Sequence, residues 1–368
     1  GAFLEANGST EGWGNLRYNI GVRYVHTDQS VAGIVNVVTA APTPANPLAT
    51  VTVRQLQRSD SEYHKYLPSL NVASDLSDDL VLRFAASKTM TRPNPGDIAP
   101  NESLSVNGDV YTRGNPELAP FFASQADLGL EWYFGEDRLG VVATNIWAKR
   151  LEGFTQIRNT TVTFGSLGID FNGLPPATQA SLIARSTAAG TGGDPLLAQV
   201  RVDQRQNTEE IIHLYGFELT YTQPLDFLLK GAGFSLNYTN ISQYSTGGPA
   251  GSPSSAVVGL SPYTYNITAF YENHGFSGRL SYAVRDTFIA FLGNNDQNIP
   301  GDNFAQKSGY LDASFSYELP SDNDLSISLE LQNITNEQQL TYFRNDAFMP
   351  RTAFAPGRQV LLGVSGKF

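Results

Sequence analysis

The chain has 368 residues, a net charge of −11 and no cysteine. That acidity excludes a nucleic-acid partner, which would need a basic face, and the missing thiols exclude a disulfide frame and a thiolate metal site. Charged residues make up 16% and aromatic residues 11%, against about a quarter charged in a typical soluble domain, and no apolar run approaches the 18 or so residues of a membrane-crossing helix.

What recurs instead is period two. The opening "GAFLEANGST" lacks the basic and apolar regions of a signal peptide and reads as the tail of a strand. "NLRYNIGVRY" then sets Leu16, Tyr18, Ile20, Val22 and Tyr24 against Asn15, Arg17, Asn19, Gly21 and Arg23. "LVLRFAAS" sets Leu80, Leu82, Phe84 and Ala86 against Val81, Arg83, Ala85 and Ser87. "QADLGLEWYF" separates Leu128, Leu130 and Trp132 from Asp127, Gly129 and Glu131. "LGVVATNIWAK" (139–149) alternates poorly and its facing stays open. Further on, "YGFELTYT", "GFSGRLSYAVR", "YLDASFSYEL", "LSISLELQ" and the closing "RQVLLGVSGKF" repeat the pattern, with Glu218, Arg279, Arg285, Asp312 and Glu330 on the polar side.

The connections alternate as well. Short ones fall near 76–79, 134–137, 272–275 and 320–324. Long ones fall near 92–122, 157–208, 246–261, 291–307 and 336–357. A β-sandwich also alternates, but here the apolar parity gathers Tyr, Trp and Phe toward strand ends and the polar parity carries repeated charge. The reading is all-β: a transmembrane antiparallel β-barrel with about 13 strands, short periplasmic turns and long extracellular loops. In the longest loop, "PPATQASLIARSTAAG" predicts one short helix after Pro176, either a lid over the mouth or, the preferred reading, packing within the loop.

At this point the sequence resembles a known family. "YNIGVRYVHTD" (18–28), "YLPSLNVASDLSDDLVLRFAASKTMTRPNPGDI" (66–98), "GNPELAPFFASQADLGLEWYF" (114–134), "GFELTYTQPLDFL" (216–228), "YNITAFYENHGFSGRLSYAVRD" (265–286), "LQNITNEQQ" (331–339) and "GRQVLLGVSGKF" (357–368) look like the C-terminal part of a TonB-dependent outer-membrane receptor, of the branch tied to carbohydrate uptake. The resemblance implies a barrel of about 22 strands filled by an N-terminal plug. Residues 1–368 are then expected to be the C-terminal part of that one barrel domain, with the plug and roughly nine early strands outside this chain. Expected partners are the plug and those strands, the TonB complex acting through the plug, outer-membrane lipid and lipopolysaccharide, and the barrel-assembly machinery. Phe368 resembles the C-terminal aromatic signal which that machinery reads, on a last strand expected to close against the first. The alternatives are a self-contained pore or an outer-membrane enzyme of lipase or protease type.

No cofactor, metal or catalytic residue is expected. His26, His64, His213 and His274 are scattered, and no nucleophile elbow, phosphate loop or dinucleotide fingerprint occurs. The expected work is capture and import of a scarce ligand, for which an oligosaccharide is the candidate. Loop residues proposed to hold it are Arg92, Asn94, Asp97, Asn101, Tyr111 and Arg113, then Asn294, Asn295, Asp296, Tyr342, Arg344 and Asp346. By parity, Arg17, Arg23, Arg83, Asp127, Glu131, Glu218, Arg279, Arg285, Asp312 and Glu330 are expected to line the lumen, several against the plug.

Overall fold

The computed structural model describes residues 1–40, 51–248, 256–292, 301–320, 325–344, 346 and 348–366. In chain order the first strands are β1 (Ala2–Thr10), β2 (Leu16–Ala40), β3 (Val51–Ser77), β4 (Leu80–Thr91), β5 (Glu102–Leu104), β6 (Val110–Arg113) and β7 (Phe121–Phe134). They are followed by β8 (Gly140–Glu152), β9 (Thr155–Thr163), β10 (Gln199–Asn207), β11 (Ile211–Pro224), β12 (Ala232–Thr246), β13 (Tyr263–Asn273) and β14 (Phe276–Arg285). The last are β15 (Phe288–Phe291), β16 (Asn303–Ala305), β17 (Ser308–Glu318), β18 (Ser326–Gln332), β19 (Gln339–Phe343), β20 (Pro350–Phe354) and β21 (Gln359–Ser365). The α-helices among the described residues are α1 (Gly12–Asn15), α2 (Pro95–Ile98) and α3 (Pro176–Ala188).

Thirteen strands form one antiparallel sheet in the order β1-β2-β3-β4-β7-β8-β11-β12-β13-β14-β17-β18-β21. Each wall strand pairs with the next in sequence along the sheet, so every connection is a hairpin or a loop excursion. Residues opposite one another in an antiparallel ladder share a face, and the register can be followed strand by strand. Arg17 opposes Ala73, Ala73 opposes Arg83, Arg83 opposes Gly129, and Gly129 opposes Asn145. Asn145 opposes Glu218, Glu218 opposes Thr239, Thr239 opposes Thr264, and Thr264 opposes Arg285. One polar face therefore runs across the wall.

The other face is apolar and uncovered. Leu4, Ile20, Leu128, Ile146, Leu280 and Leu362 are all exposed there, as lipid-facing side chains of a membrane barrel must be. Aromatic rings band it toward both ends. Near the short turns Trp132 meets Phe134, Phe134 meets Tyr221, and Tyr221 meets Phe234. Near the long loops Tyr24 meets Tyr66, Tyr215 meets Tyr244, and Tyr265 meets Tyr282. Such rings suit a water–lipid boundary, being apolar in body and polar at the tip.

The segment 139–149 resolves cleanly: Asn145 and Trp147 lie on the polar face, Ile146 and Ala148 on the apolar one. The last strand does not close on the first. β21 pairs with β18 and β1 with β2, and these two strands are the free edges of the described sheet. The short turns are tight. At Gly231 (φ 85°) a Cβ would collide with the Glu272 carbonyl of the neighbouring strand.

β2 and β3 hold 25 and 27 residues, more than twice the 9–11 or so that cross a bilayer. They stay paired from Arg17↔Ala73 to Val38↔Thr52, so a two-stranded arm rises beyond the wall. The long connections are not structureless either. β5, β6, β10 and β9 form a four-stranded sheet from two different loops, with β6 and β10 parallel; β15, β16, β19 and β20 form a second sheet.

The first loop sheet carries the main hydrophobic core. Tyr111, Phe164, Phe171, Leu182, Ala198, Val200 and Val202 are buried together there. α3 supplies Leu182 and its i±4 neighbours Thr178 and Ser186, all buried on one face. Pro176 opens the helix, where its missing N–H is harmless. Gly190, at φ 75°, ends it in the left-handed region. Thr178 and Ser181 donate to the carbonyls of Val106 and Asn107 at 2.7 Å each, tying α3 to the other loop.

Candidate functional site

The polar face of the wall begins with ion pairs near the short-turn end. Arg17 donates two hydrogen bonds to Asp75, at 2.6 and 2.7 Å. Arg83 donates to both oxygens of Glu131, at 2.8 and 3.1 Å, and the Tyr133 hydroxyl adds a third bond to that carboxylate at 2.9 Å. These planar bidentate pairs fix side chains that would otherwise sweep through water. Trp147 Nε1 donates to Glu218 at 3.1 Å, and Arg279 donates to Glu272 at 2.9 Å. Arg17, Arg83, Asp127, Glu131 and Glu218 line one concavity of about 650 Å³.

All ten wall residues selected by parity lie on this face, with different occupations. Asp312 accepts from the backbone N–H of Asn333 at 2.7 Å and so fixes the start of the last long loop. Arg285 bonds Ser261 Oγ at 2.7 Å and the carbonyl of Gly259, with its guanidinium 3.7 Å from the Phe288 ring centre. It is a bolt between wall and loops rather than a side chain free to meet a plug. Arg23, Asp127 and Glu330 make no salt bridge among the described residues.

The loop candidates separate into groups. Asp97, Asn101 and Arg113 meet around a small cavity of about 170 Å³ with Glu102, Asp203 and Arg205. There Arg205 pairs with Asp97 at 3.0 Å, Arg201 with Asp203 at 2.8 Å, and Arg113 donates to Gln204 at 3.3 Å. Asn94 stands just before α2, its carbonyl accepting from Asp97 N at 2.9 Å. Arg92 lies apart and donates to Thr27 Oγ1 on β2 at 3.2 Å.

Tyr111 corrects the sequence expectation. It is 4% exposed in the loop core, so its ring packs against protein and is not open to stack on a ligand. Burial, with the Glu102 carboxylate beside it, pushes its phenol up from the usual tyrosine range. Tyr342 belongs to the second loop sheet and donates to Gln306 Oε1 at 3.2 Å. Arg344 follows it at φ 54°, and Asp346 Oδ1 accepts from Phe348 N at 2.9 Å. Asn294, Asn295, Asp296 and Phe368 lie outside the described residues.

Sequence reasoning overlooked Asp75, Glu272 and Trp147. Asp75 shares the polar parity of Asn71 and Ala73 but sits among polar neighbours, Ser74 and Ser77, just before a short turn, and Glu272 reads as part of a turn. Trp147 was hidden in the poorly alternating stretch. Among the described residues no group of His, Asp and Glu is arranged to hold a metal.

A sheet whose bare face is apolar and ringed by aromatics, and whose other face is charged and hydrated, is the wall of a transmembrane β-barrel. A family profile described as TonB-dependent receptor-like β-barrel matches residues 1–334, and the chain belongs to the TonB-dependent receptor family, whose barrels sit in the outer membrane of Gram-negative bacteria. Several solved structures share the fold. The ferric enterobactin receptor of Pseudomonas aeruginosa aligns with a TM-score of 0.57 and 15% identity, over 98% of this chain and 53% of that one. The ferric-catecholate import receptor Fiu of Escherichia coli K12 gives 0.56 and 12%, over 98% and 43%. The siderophore receptor PirA of Acinetobacter baumannii gives 0.52 and 14%, over 98% and 53%. The chain thus spans about half the length of the structures it matches. No curated protein matches it in sequence. The family and these neighbours are receptors and transporters, not enzymes.

Proposed function

We propose that this chain is the C-terminal wall of an outer-membrane importer that draws energy from TonB through a plug seated in the lumen. The carrying observation is the polar face with its ion pairs, Arg17–Asp75 and Arg83–Glu131. Partly exposed pairs of this kind contribute little stability, about 0–1 kcal/mol. They hold a hydrated surface in fixed geometry, which suits a plug that must seat firmly and still shift. A dry apolar contact would lock it. The free edges β1 and β21 need further strands, since an open sheet edge does not persist in hydrocarbon. The exposed apolar face meets outer-membrane lipid, and Phe368 is offered as the aromatic signal for barrel assembly.

For the ligand, charge argues toward an uncharged molecule. In 92–120 the acids Asp97, Glu102, Asp109 and Glu117 outnumber Arg92 and Arg113. In 286–307 Asp286, Asp296 and Asp302 outnumber Lys307. An acidic mouth repels a polyanionic ferric chelate and leaves a neutral oligosaccharide unaffected. The arrangement supports capture and import, with no reacting group in view.

The import reading is tested without knowing the ligand. The complete receptor, reconstituted in planar bilayers, is expected to stay closed until a denaturant such as urea displaces the plug. A steady open conductance in plain buffer would favour the self-contained pore and overturn the proposal.

A further inference from the structure

The outward face of the wall changes character at its loop end. Across β4 to β12 one register row holds Lys88, Ser124, Arg150, His213 and Tyr244. The next row toward the loops holds Met90, Phe122 and Glu152. Both rows lie at the level of the aromatic band that Tyr215 and Tyr244 mark. This is the height at which a barrel wall leaves hydrocarbon and meets lipid headgroups.

The cations in these rows differ in what they already hold. Arg150 pairs with Glu152. His213 stacks on Tyr244, with ring centres 4.6 Å apart, and bonds Thr246 Oγ1 at 3.2 Å. Lys88 makes no salt bridge among the described residues, and neither does Lys65, on β3 just beyond the last β3–β4 pair, Ser69↔Ser87. Both ammonium groups stand 5.4 Å from the centre of one ring, Phe122. Glu152, the carboxylate opposite Phe122, is taken by Arg150. A ring face attracts cations without neutralising them, and two like charges gathered at one ring repel each other. An anion is the missing complement.

Beneath the cations lies room for apolar chains. Ala86, Ala126 and Ala148 oppose one another in the row below Lys88 and Arg150, and Phe84, Leu128 and Ile146 form the row below that. The short side chains leave a trough between the two larger rows. Toward β1 it opens into a concavity of about 750 Å³ lined by Leu4, Ala6, Ile20, Val22, Leu70 and Ala86, with Lys88 and Ser124 at its loop-side margin.

The geometry points to a lipid site on this outward face, with a lipid A phosphate of lipopolysaccharide between Lys65 and Lys88 and its acyl chains lying across the alanine trough. A phosphate monoester carries a charge of about −1.5 to −2 and so answers two ammonium groups, and lysine binds phosphate as a point charge without needing a planar fork. The trough adds shape and little net drive, because an acyl chain that enters it exchanges one hydrocarbon neighbour for another. Selection therefore falls to the headgroup. The long-loop end of the wall faces the extracellular leaflet, where the phosphorylated sugar lipid is found. The inference needs only a barrel standing in the outer membrane and is independent of what the protein imports.

The test uses the complete receptor, delipidated in detergent and certified as folded by its heat-modifiable gel mobility. It is mixed in turn with bis-phosphorylated lipid A, dephosphorylated lipid A and phosphatidylglycerol, and bound lipid is followed by native mass spectrometry. Lipid A is expected to stay bound at collision energies that strip the other two. Lys65→Gln and Lys88→Gln should each weaken its binding about fivefold. Lys307→Gln, which removes a cation 5.4 Å from the Tyr263 ring elsewhere on the barrel, should leave it unchanged. Equal retention of dephosphorylated lipid A would overturn the phosphate contact. Equal retention of phosphatidylglycerol would overturn lipid A as the occupant. A loss that Lys307→Gln shares in full, or that none of the three folded variants shows, would overturn the site.

Discussion

Leu362 on β21 is 76% exposed, and Leu182 on α3 is 0% exposed. Both are leucines in regular structure, and the difference between them is one of solvent. The wall buries a small apolar cluster, Leu151, Ile212 and Leu214, near its loop end, and along its outward face the bilayer takes the role of a core. Its order comes from ladder hydrogen bonds that a strand in hydrocarbon must satisfy with neighbouring strands. The loop domain stands in water and must build its own core, from Phe164, Phe171, Leu182, Val200 and Val202. Two stabilising mechanisms therefore share one chain, and they should fail independently.

The largest expected effect tests that independence. Phe164→Ala empties a fully buried site in the loop core and should cost the loop domain about 3–5 kcal/mol. Limited proteolysis should then cut within 92–120 and 153–210, while the barrel keeps its heat-modifiable mobility. Joint loss of both would show that loops and wall form one cooperative unit.

A smaller effect separates the two faces of the wall. Leu128 is exposed at mid-height on the apolar face, where an arginine should cost about 2–4 kcal/mol in a bilayer. Thr220 lies on the polar face, opposite Asn237, and Thr220→Arg should cost less than about 1 kcal/mol. Urea unfolding of Leu128→Arg and Thr220→Arg in lipid vesicles gives the comparison. Equal costs would mean that the outward face is not in hydrocarbon.

The sequence exposed the wall and concealed the loops for the same reason. A wall strand meets lipid on one side and water on the other, and that asymmetry writes period two into "QADLGLEWYF" and "GFSGRLSYAVR". Once the parity is known, most lumenal charges follow; Asp75 and Glu272, each close to a short turn, do not. The loop domain leaves no such imprint. Tyr111 pairs in parallel with Val202, about ninety residues away, and β5 and β6 have only three and four residues. Strands so short, joined across so long a separation, carry too few alternations to be recognised. For this reason Tyr111 reads as a loop aromatic when it is core. The helix after Pro176 was legible because thirteen residues give three full turns of pattern.

Tyr111 also gives the smallest and most local test of the comparison. The segments 92–120 and 153–210 contain no lysine, no cysteine and no other tyrosine, so no other side chain there titrates between about pH 9 and 12. Burial first, and the Glu102 carboxylate second, raise its phenol above the unfolded value. The folded domain therefore keeps the proton where the unfolded chain gives it up. The associated stability is complete below about pH 10 and is lost as pH rises toward the folded pKa, at up to about 1.4 kcal/mol per pH unit. Amide exchange in the loop core should accelerate between pH 10 and 11 beyond its intrinsic base-catalysed rise. Tyr111→Phe should abolish the excess and leave a domain that is less stable at neutral pH, having lost the contact with Glu102. The wall strands should show no excess tied to this substitution. If the excess persists in Tyr111→Phe, the alkaline loosening starts in the wall, and the two regions are coupled after all.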